Sequence, residues 1–266
     1  MPNRLRTLLS CAVLTATLSH ANALADSRED ERVQTAAAII SELNQIPEKA
    51  IPPALLRRAY AVAIIPDMLK IGVGLAGRHG KGVLSVRGDN GWSAPVFIKL
   101  SGGSIGWQAG LQSSDLVLVF TNERGVENIT RGKLTLGADA SIAAGPIGRH
   151  GSAATDGKLR AEVYSYSRAR GLFAGVSVEG AALRIDRNAN AAYYAQPAIS
   201  ADTIIAGEFT EVPDSTVNFR RDMTAAAQGN LSAAVPDDIA ALESAPQNAS
   251  DVVEAPEEAK TFALDE

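Results

Sequence analysis

From Ile71 to Asp186 the chain is built of short apolar segments broken by turn clusters, and glycine recurs inside the segments themselves, at Gly102, Gly103, Gly106, Gly110, Gly137, Gly175 and Gly180. Interior glycine weakens a flat strand but lets a strand bend and lets two backbones cross closely. Residues 72–77, 82–87, 94–100, 104–111, 116–121, 133–142, 159–166 and 172–185 read as strands, and Gly88-Asp89-Asn90-Gly91 is a hairpin signal. The unbroken apolar run Leu116-Val117-Leu118-Val119-Phe120 marks a strand buried on both faces. Residues 122–130 read as the one helix of this stretch. The expected fold is α+β: a strongly curved, mostly antiparallel, barrel-like β-sheet packed with N-terminal helices.

Two helices precede that region. Residues 26–45 place Val33, Ala36, Ala37, Ile40 and Leu43 at helical spacing, with Ser27 as the expected N-cap. The polar face carries Arg28, Glu29, Asp30, Glu31, Arg32 and Glu42, more acid than base. A short helix follows Pro52-Pro53, because proline suits a first helical turn. Residues 61–65 are an apolar stretch bounded by Pro66. Further on, residues 188–206 read as a small helical or irregular closure anchored by Tyr193 and Tyr194.

The first 25 residues read as a secretory signal peptide. Arg4 and Arg6 form a basic start, 8–18 is an apolar run too short to span a bilayer, and Ala23-Leu24-Ala25 supplies a small-x-small cleavage pattern before Asp26. The expected location is periplasmic, with outer-membrane association as an option. Lipoprotein cleavage at Cys11 is the weaker reading, since most of the apolar run follows it. Cys11 is the sole cysteine, which excludes a disulfide framework and a thiolate metal cluster.

Charge divides the remainder. Residues 208–266 hold 13 acids and 3 bases, and they read as an acidic, disordered tail with a transient helix near 237–243. Residues 26–207, read as the folded domain, carry a mild positive excess. The whole-chain net charge of −5 is too ordinary for a nucleic-acid binder working through bulk positive field.

Catalytic motifs fail on context. Gly102-Gly103-Ser104-Ile105-Gly106 matches G-x-S-x-G, with Asp115 or Asp139 and then His150 in hydrolase order, but a nucleophile elbow needs a helix after the serine and strand is expected there. Gly72-Val73-Gly74-Leu75-Ala76-Gly77 matches the dinucleotide fingerprint, yet Arg78-His79-Gly80-Lys81-Gly82 cannot open the required helix. Nor does Gly80-Lys81 complete a P-loop. His79 and His150 have no second His or Cys nearby, so no metal site or cofactor is expected. Arg87-Gly88-Asp89 is taken as a polar hairpin tip. Asp115, Asp139, Glu179 and Arg168 lie among small apolar residues and are expected in structural salt bridges. One tetrapeptide recurs: Gly77-Arg78-His79-Gly80 and Gly148-Arg149-His150-Gly151. Gly-rich turns bearing Arg and His suit an anionic head group; the bland reading, two solvated turns, is preferred.

Ordered stretches carry a resemblance. They are Gly82-Val83-Leu84, Gly91-Trp92-Ser93-Ala94-Pro95, Ser101-Gly102-Gly103-Ser104-Ile105-Gly106-Trp107-Gln108-Ala109-Gly110, Ser114-Asp115-Leu116-Val117-Leu118, Asn122-Glu123-Arg124-Gly125-Val126, Leu136-Gly137-Ala138-Asp139-Ala140-Ser141, Ala143-Ala144-Gly145-Pro146, 165–175 and Glu179-Gly180-Ala181. From about Ile51 to Tyr194 the chain resembles the SYLF domain family, whose fungal members also give it an actin-binding name, and it is similar to bacterial exported members. The resemblance implies a non-catalytic lipid-binding module; eukaryotic relatives bind phosphoinositides through a basic N-terminal helix, and some bind actin. This chain differs in the acidic polar face of that helix and in His79, where the family usually has an aromatic residue. An exported chain would not meet actin in its compartment.

The favoured expectation is therefore a module binding phospholipid or an anionic membrane surface through basic loops and the N-terminal helix. The candidate residues are Arg57, Arg58, Lys70, Arg78, His79, Lys81, Arg149 and His150. An envelope scaffold with a protein partner is the alternative, and a Ser104 hydrolase ranks third.

Overall fold

The structure is a computed structural model that describes residues 28–42, 51–146, 161–169, 172–209 and 213–228. All of these lie in one compact unit, Met1–Asn230. Two long strands organise it. β1 (Ala61–Gly88) and β3 (Val96–Phe120) pair antiparallel from Ala61 opposite Phe120 to Leu84 opposite Val96. Between them β2 (Gly91–Trp92) folds back on β1, with Gly91 at φ 101° as the hairpin signal requires.

The separate strands read from the sequence merge here. Residues 72–77 and 82–87 are parts of β1, while 94–100, 104–111 and 116–121 fall largely within β3. Pro66 does not end its segment. It sits at a register shift between Ile65 and Met68, where Asp67 takes φ 47°, and a bulge tolerates a residue with no N–H to give the ladder.

The ribbon bends onto itself. A Cβ on Gly82 would overlap the Ile64 carbonyl oxygen and lie 2.8 Å from Ile65 Cα. The second half of β1 thus presses on the first with no side chain between them. β6 (Val163–Ala169) joins the late half of β3, with Phe120 opposite Val163 and Asp115 opposite Arg168. β8 (Ala182–Ile185) joins the early half, with Ile98 opposite Ile185. The short strands β4 (Leu134–Thr135) and β7 (Leu172–Gly175) extend the sheet through β8 and β6. β5 (Ile142–Ala144) pairs with β6 in parallel within this strongly curved, eight-stranded sheet. The α+β architecture is as expected.

The core lies under the concave sheet. Leu116 to Phe120 are fully buried, alongside Ile64, Ile65, Leu84, Phe97, Ile98, Leu100 and Tyr166. Helix α1 (28–42) turns Val33, Ala36, Ala37, Ile39 and Ile40 into this core; its expected cap, Ser27, is outside the described residues. Helix α2 (Pro53–Arg58) opens on proline and buries Leu55 and Leu56. Helix α3 (Glu123–Arg131) falls where the sequence placed it. α4 (Arg187–Tyr193) and α5 (Ala201–Ala206) are N-capped by the side chains of Asp186 and Ser200.

A further helix, α6 (Asp214–Gln228), lies past residue 207, where the folded domain was expected to end. Phe219, Met223, Ala226 and Ala227 are buried at helical spacing. The Tyr193 hydroxyl reaches Ser215 and Thr216 at 2.6 and 2.7 Å, joining α4 to α6. The acid excess of 208–266, averaged over the whole segment, conceals a helix whose own charges, Asp214, Arg220, Arg221 and Asp222, balance. The helix read near 237–243 lies outside the described residues.

Candidate functional site

Strand alternation sets which cations face solvent. On β1, Gly80 and Gly82 are buried while His79 and Lys81 are exposed; on β3, Ile98 and Leu100 are buried and Ser101 is exposed; on β8, Leu183 is buried and Arg184 exposed. The register then aligns the outward residues. Lys81 stands directly opposite Lys99, and Lys99 directly opposite Arg184. Directly opposed residues share a face of the sheet, so three cations from three neighbouring strands form one row. His79 is next to it, opposite Ser101. Extending the β4–β8 register by one residue from Leu134 sets the exposed Lys133 opposite Arg184.

Such a row costs the fold something. Like charges in direct opposition destabilise a sheet. Among the described residues, one carboxylate answers the row: Lys99 Nζ lies 3.0 Å from Asp186 Oδ1. Asp186 is 3% exposed and also accepts the Ala189 N–H at 3.3 Å. Beside the row opens a cavity of about 400 Å³, lined by Lys99, Arg184, Asp186, Arg187, Ser200 and Asp202 among others.

The candidates read from sequence separate here. His79 and Lys81 join the row. Arg78 points to the other face and is half-buried, opposite Gly102. Lys70 lies across a second register shift, opposite Gln112 and between the exposed Leu69 and Ile71. Arg57 and Arg58 occupy the exposed last turn of α2. Arg149 and His150 lie outside the described residues. The first Gly-Arg-His-Gly copy is paired strand, with Arg78 and His79 opposite Gly102 and Ser101. The turn reading is corrected: backbone groups engaged in a ladder cannot cradle an anion. Lys99, Arg184 and Arg187 were missed. Lys99 and Arg184 carried one local signal, a lone cation in an apolar strand, but nothing local shows that β1, β3 and β8 are neighbours.

The other charged groups have structural partners or face water. Arg168 bridges Asp115 at 2.7 Å and Glu42 of α1, tying that helix to β3 and β6. Asp115 also accepts the Asp67 N–H at 3.0 Å. Asp139 departs from the expected salt bridge: it accepts the Thr135 N–H at 2.6 Å in an exposed turn, and Glu179 is exposed. The Ser141 N–H holds the Glu162 carboxyl below its ordinary range, and Asn122 and Arg124 add to this. Burial pushes the phenols of Tyr166 and Tyr194 up. The Gly102–Gly106 motif lies inside β3, where Ser104 pairs with Ala76, so it is not a strand–turn–helix elbow. The Gly72–Gly77 motif is likewise internal to β1. Among the described residues there is no cluster of three metal-ligating side chains, and no helix is long and apolar enough to cross a membrane.

This geometry places the comparisons. Residues 101–226, from β3 through most of α6, match the family model Ysc84, described as Las17-binding protein actin regulator. This region belongs to the Ysc84, or SYLF, domain family. The chain is 35% identical over 189 residues to SH3 domain-containing YSC84-like protein 1 of Xenopus laevis, covering 70% of this chain and 56% of that protein. It is 38% identical over 177 residues to LAS seventeen-binding protein 3 of Saccharomyces cerevisiae, covering 65% and 38%. To Protein YSC84 of the same yeast it is 40% identical over 151 residues, covering 55% and 32%. The chain thus spans about half or less of these relatives. Lys99 falls just outside the matched residues, and Arg184 and Arg187 fall inside them.

Proposed function

We infer that this SYLF domain is a non-catalytic binding module that docks on anionic lipid surfaces through the outward face of β1, β3 and β8. The observation that carries the reading is the row Lys81, Lys99 and Arg184, aligned by register and answered by Asp186 alone among the described residues. A sheet that tolerates like charges in opposition gains when an external anion covers them. Each Lys or Arg near an anionic bilayer contributes roughly 1 kcal/mol, screened by salt. The leader-like N-terminus supports export to the periplasm, where the outer membrane offers an anionic surface. Helix α1 does not offer its apolar face, because that face forms core.

Vesicle flotation tests this. The full chain is expected to bind phosphatidylglycerol-containing vesicles, not phosphatidylcholine alone, and to release in high salt. Lys81→Ala with Arg184→Ala should weaken binding more than about tenfold, from two cations at roughly 1 kcal/mol each. Equal binding to both vesicle types would overturn the reading. The family description favours a second one, docking on a protein partner: Las17 and actin are named for the family and its relatives. Filament co-sedimentation without vesicle binding would establish it.

A further inference from the structure

We propose that the cavity beside the cationic row is a phosphoryl site: it takes the phosphate of a small ester, carried either by a lipid head group or by a soluble molecule. The proposal rests on the anion-seeking face above and narrows it to one pocket with its own residues.

At about 400 Å³ the cavity has room for a phosphate with a glycerol-sized remainder. Its cations are arranged, not scattered. Lys99 is held by Asp186, itself buried and fixed by the α4 cap. An ammonium with one acceptor keeps further N–H donors for another. Arg184 stands opposite Lys99 on the neighbouring strand, and Arg187 follows Asp186 by one residue. Neither guanidinium has an ion pair or hydrogen bond with a described residue. A guanidinium presents a planar fork of donors that matches phosphate oxygens.

The hydroxyls at the rim are already engaged. Ser200 Oγ accepts the Thr203 N–H at 3.0 Å, and Thr130 Oγ1 donates to the Glu127 carbonyl at 3.1 Å. Recognition therefore falls to the charged groups and the Asn188 amide, which also lines the cavity. Of the two lining acids Asp186 is taken up by Lys99, which leaves Asp202 against two guanidiniums. That balance favours an anion. Three separate cations suit a group with three or more oxygens better than a carboxylate with two.

The test is an amide NMR titration of the full chain with sn-glycerol 3-phosphate, glycerol as control, and parallel flotation on phosphatidic acid vesicles. Glycerol 3-phosphate is expected to shift amides of 183–188 and 199–202 saturably. Arg184→Ala with Arg187→Ala should weaken this roughly tenfold or more, because two charge-assisted contacts are lost. If glycerol 3-phosphate binds there but vesicles do not, the site stands with a soluble ester as ligand, and the membrane reading alone fails. If vesicles bind through Lys81 while glycerol 3-phosphate leaves these amides unmoved, the site is overturned and the membrane reading survives. Shifts that the double variant does not weaken also overturn it.

Discussion

Gly82 shows how one residue sets the curvature of this sheet. Its missing side chain lets the second half of β1 lie directly on Ile64 and Ile65. Backbone cannot yield as a flexible side chain would, so Gly82→Ala is expected to destabilise the domain by about 3 kcal/mol or more. Gly88, whose added Cβ would meet its nearest atom at 3.8 Å, supplies the contrast: Gly88→Ala should stay within about 0.5 kcal/mol. Urea denaturation of both variants checks this, and equal midpoints would refute the close-packing account. That glycine mattered inside these strands was legible from its spacing. Which glycine sits at the crossing was not, because Ile64 and Gly82 are brought together by a bend. Lys99 and Arg184 teach the same lesson at the candidate site: each was visible as a lone cation, but their opposition depends on pairing between β3 and β8.

At the scale of the element, α1 was read correctly as amphipathic, yet the use of its apolar face is decided by the sheet. Val33, Ala36, Ile39 and Ile40 are at most 1% exposed, and each fully buried Val or Ile contributes roughly 1.5–3 kcal/mol. Arg168 adds a polar latch at the helix end through Glu42. Undocking α1 to insert it in a bilayer would forfeit both. Hydrogen exchange on anionic vesicles should therefore leave the α1 amides as slow as in the free chain, with new protection confined to β1, β3 and β8 around Lys81, Lys99 and Arg184. Faster exchange across 28–42 would show that the helix, and not the sheet, engages lipid. α6 is the opposite case. Its pattern of Phe219, Met223, Ala226 and Ala227 was present in the chain but hidden by the charge of the sequence after it.

Across the whole unit, one contiguous core joins α1, the sheet, α3, α4 and α6. Elements sharing a core unfold together. Thermal melts followed by far-UV circular dichroism and by tryptophan fluorescence should coincide; Trp92, 2% exposed, reports from the hairpin beneath α6. An early far-UV loss would separate the helices from the sheet and refute the single core. The amino-acid order alone determined the strand-rich class, the central buried run, the hairpin at Gly88–Gly91 and the helix after Asn122, because these follow from local periodicity and turn chemistry. Only the tertiary structure decided that five apparent strands are two, that a proline continues a strand at a bulge, and that cations from three strands form a row beside a cavity. Those outcomes depend on register and bending between segments far apart in the chain, and no local window of residues encodes them.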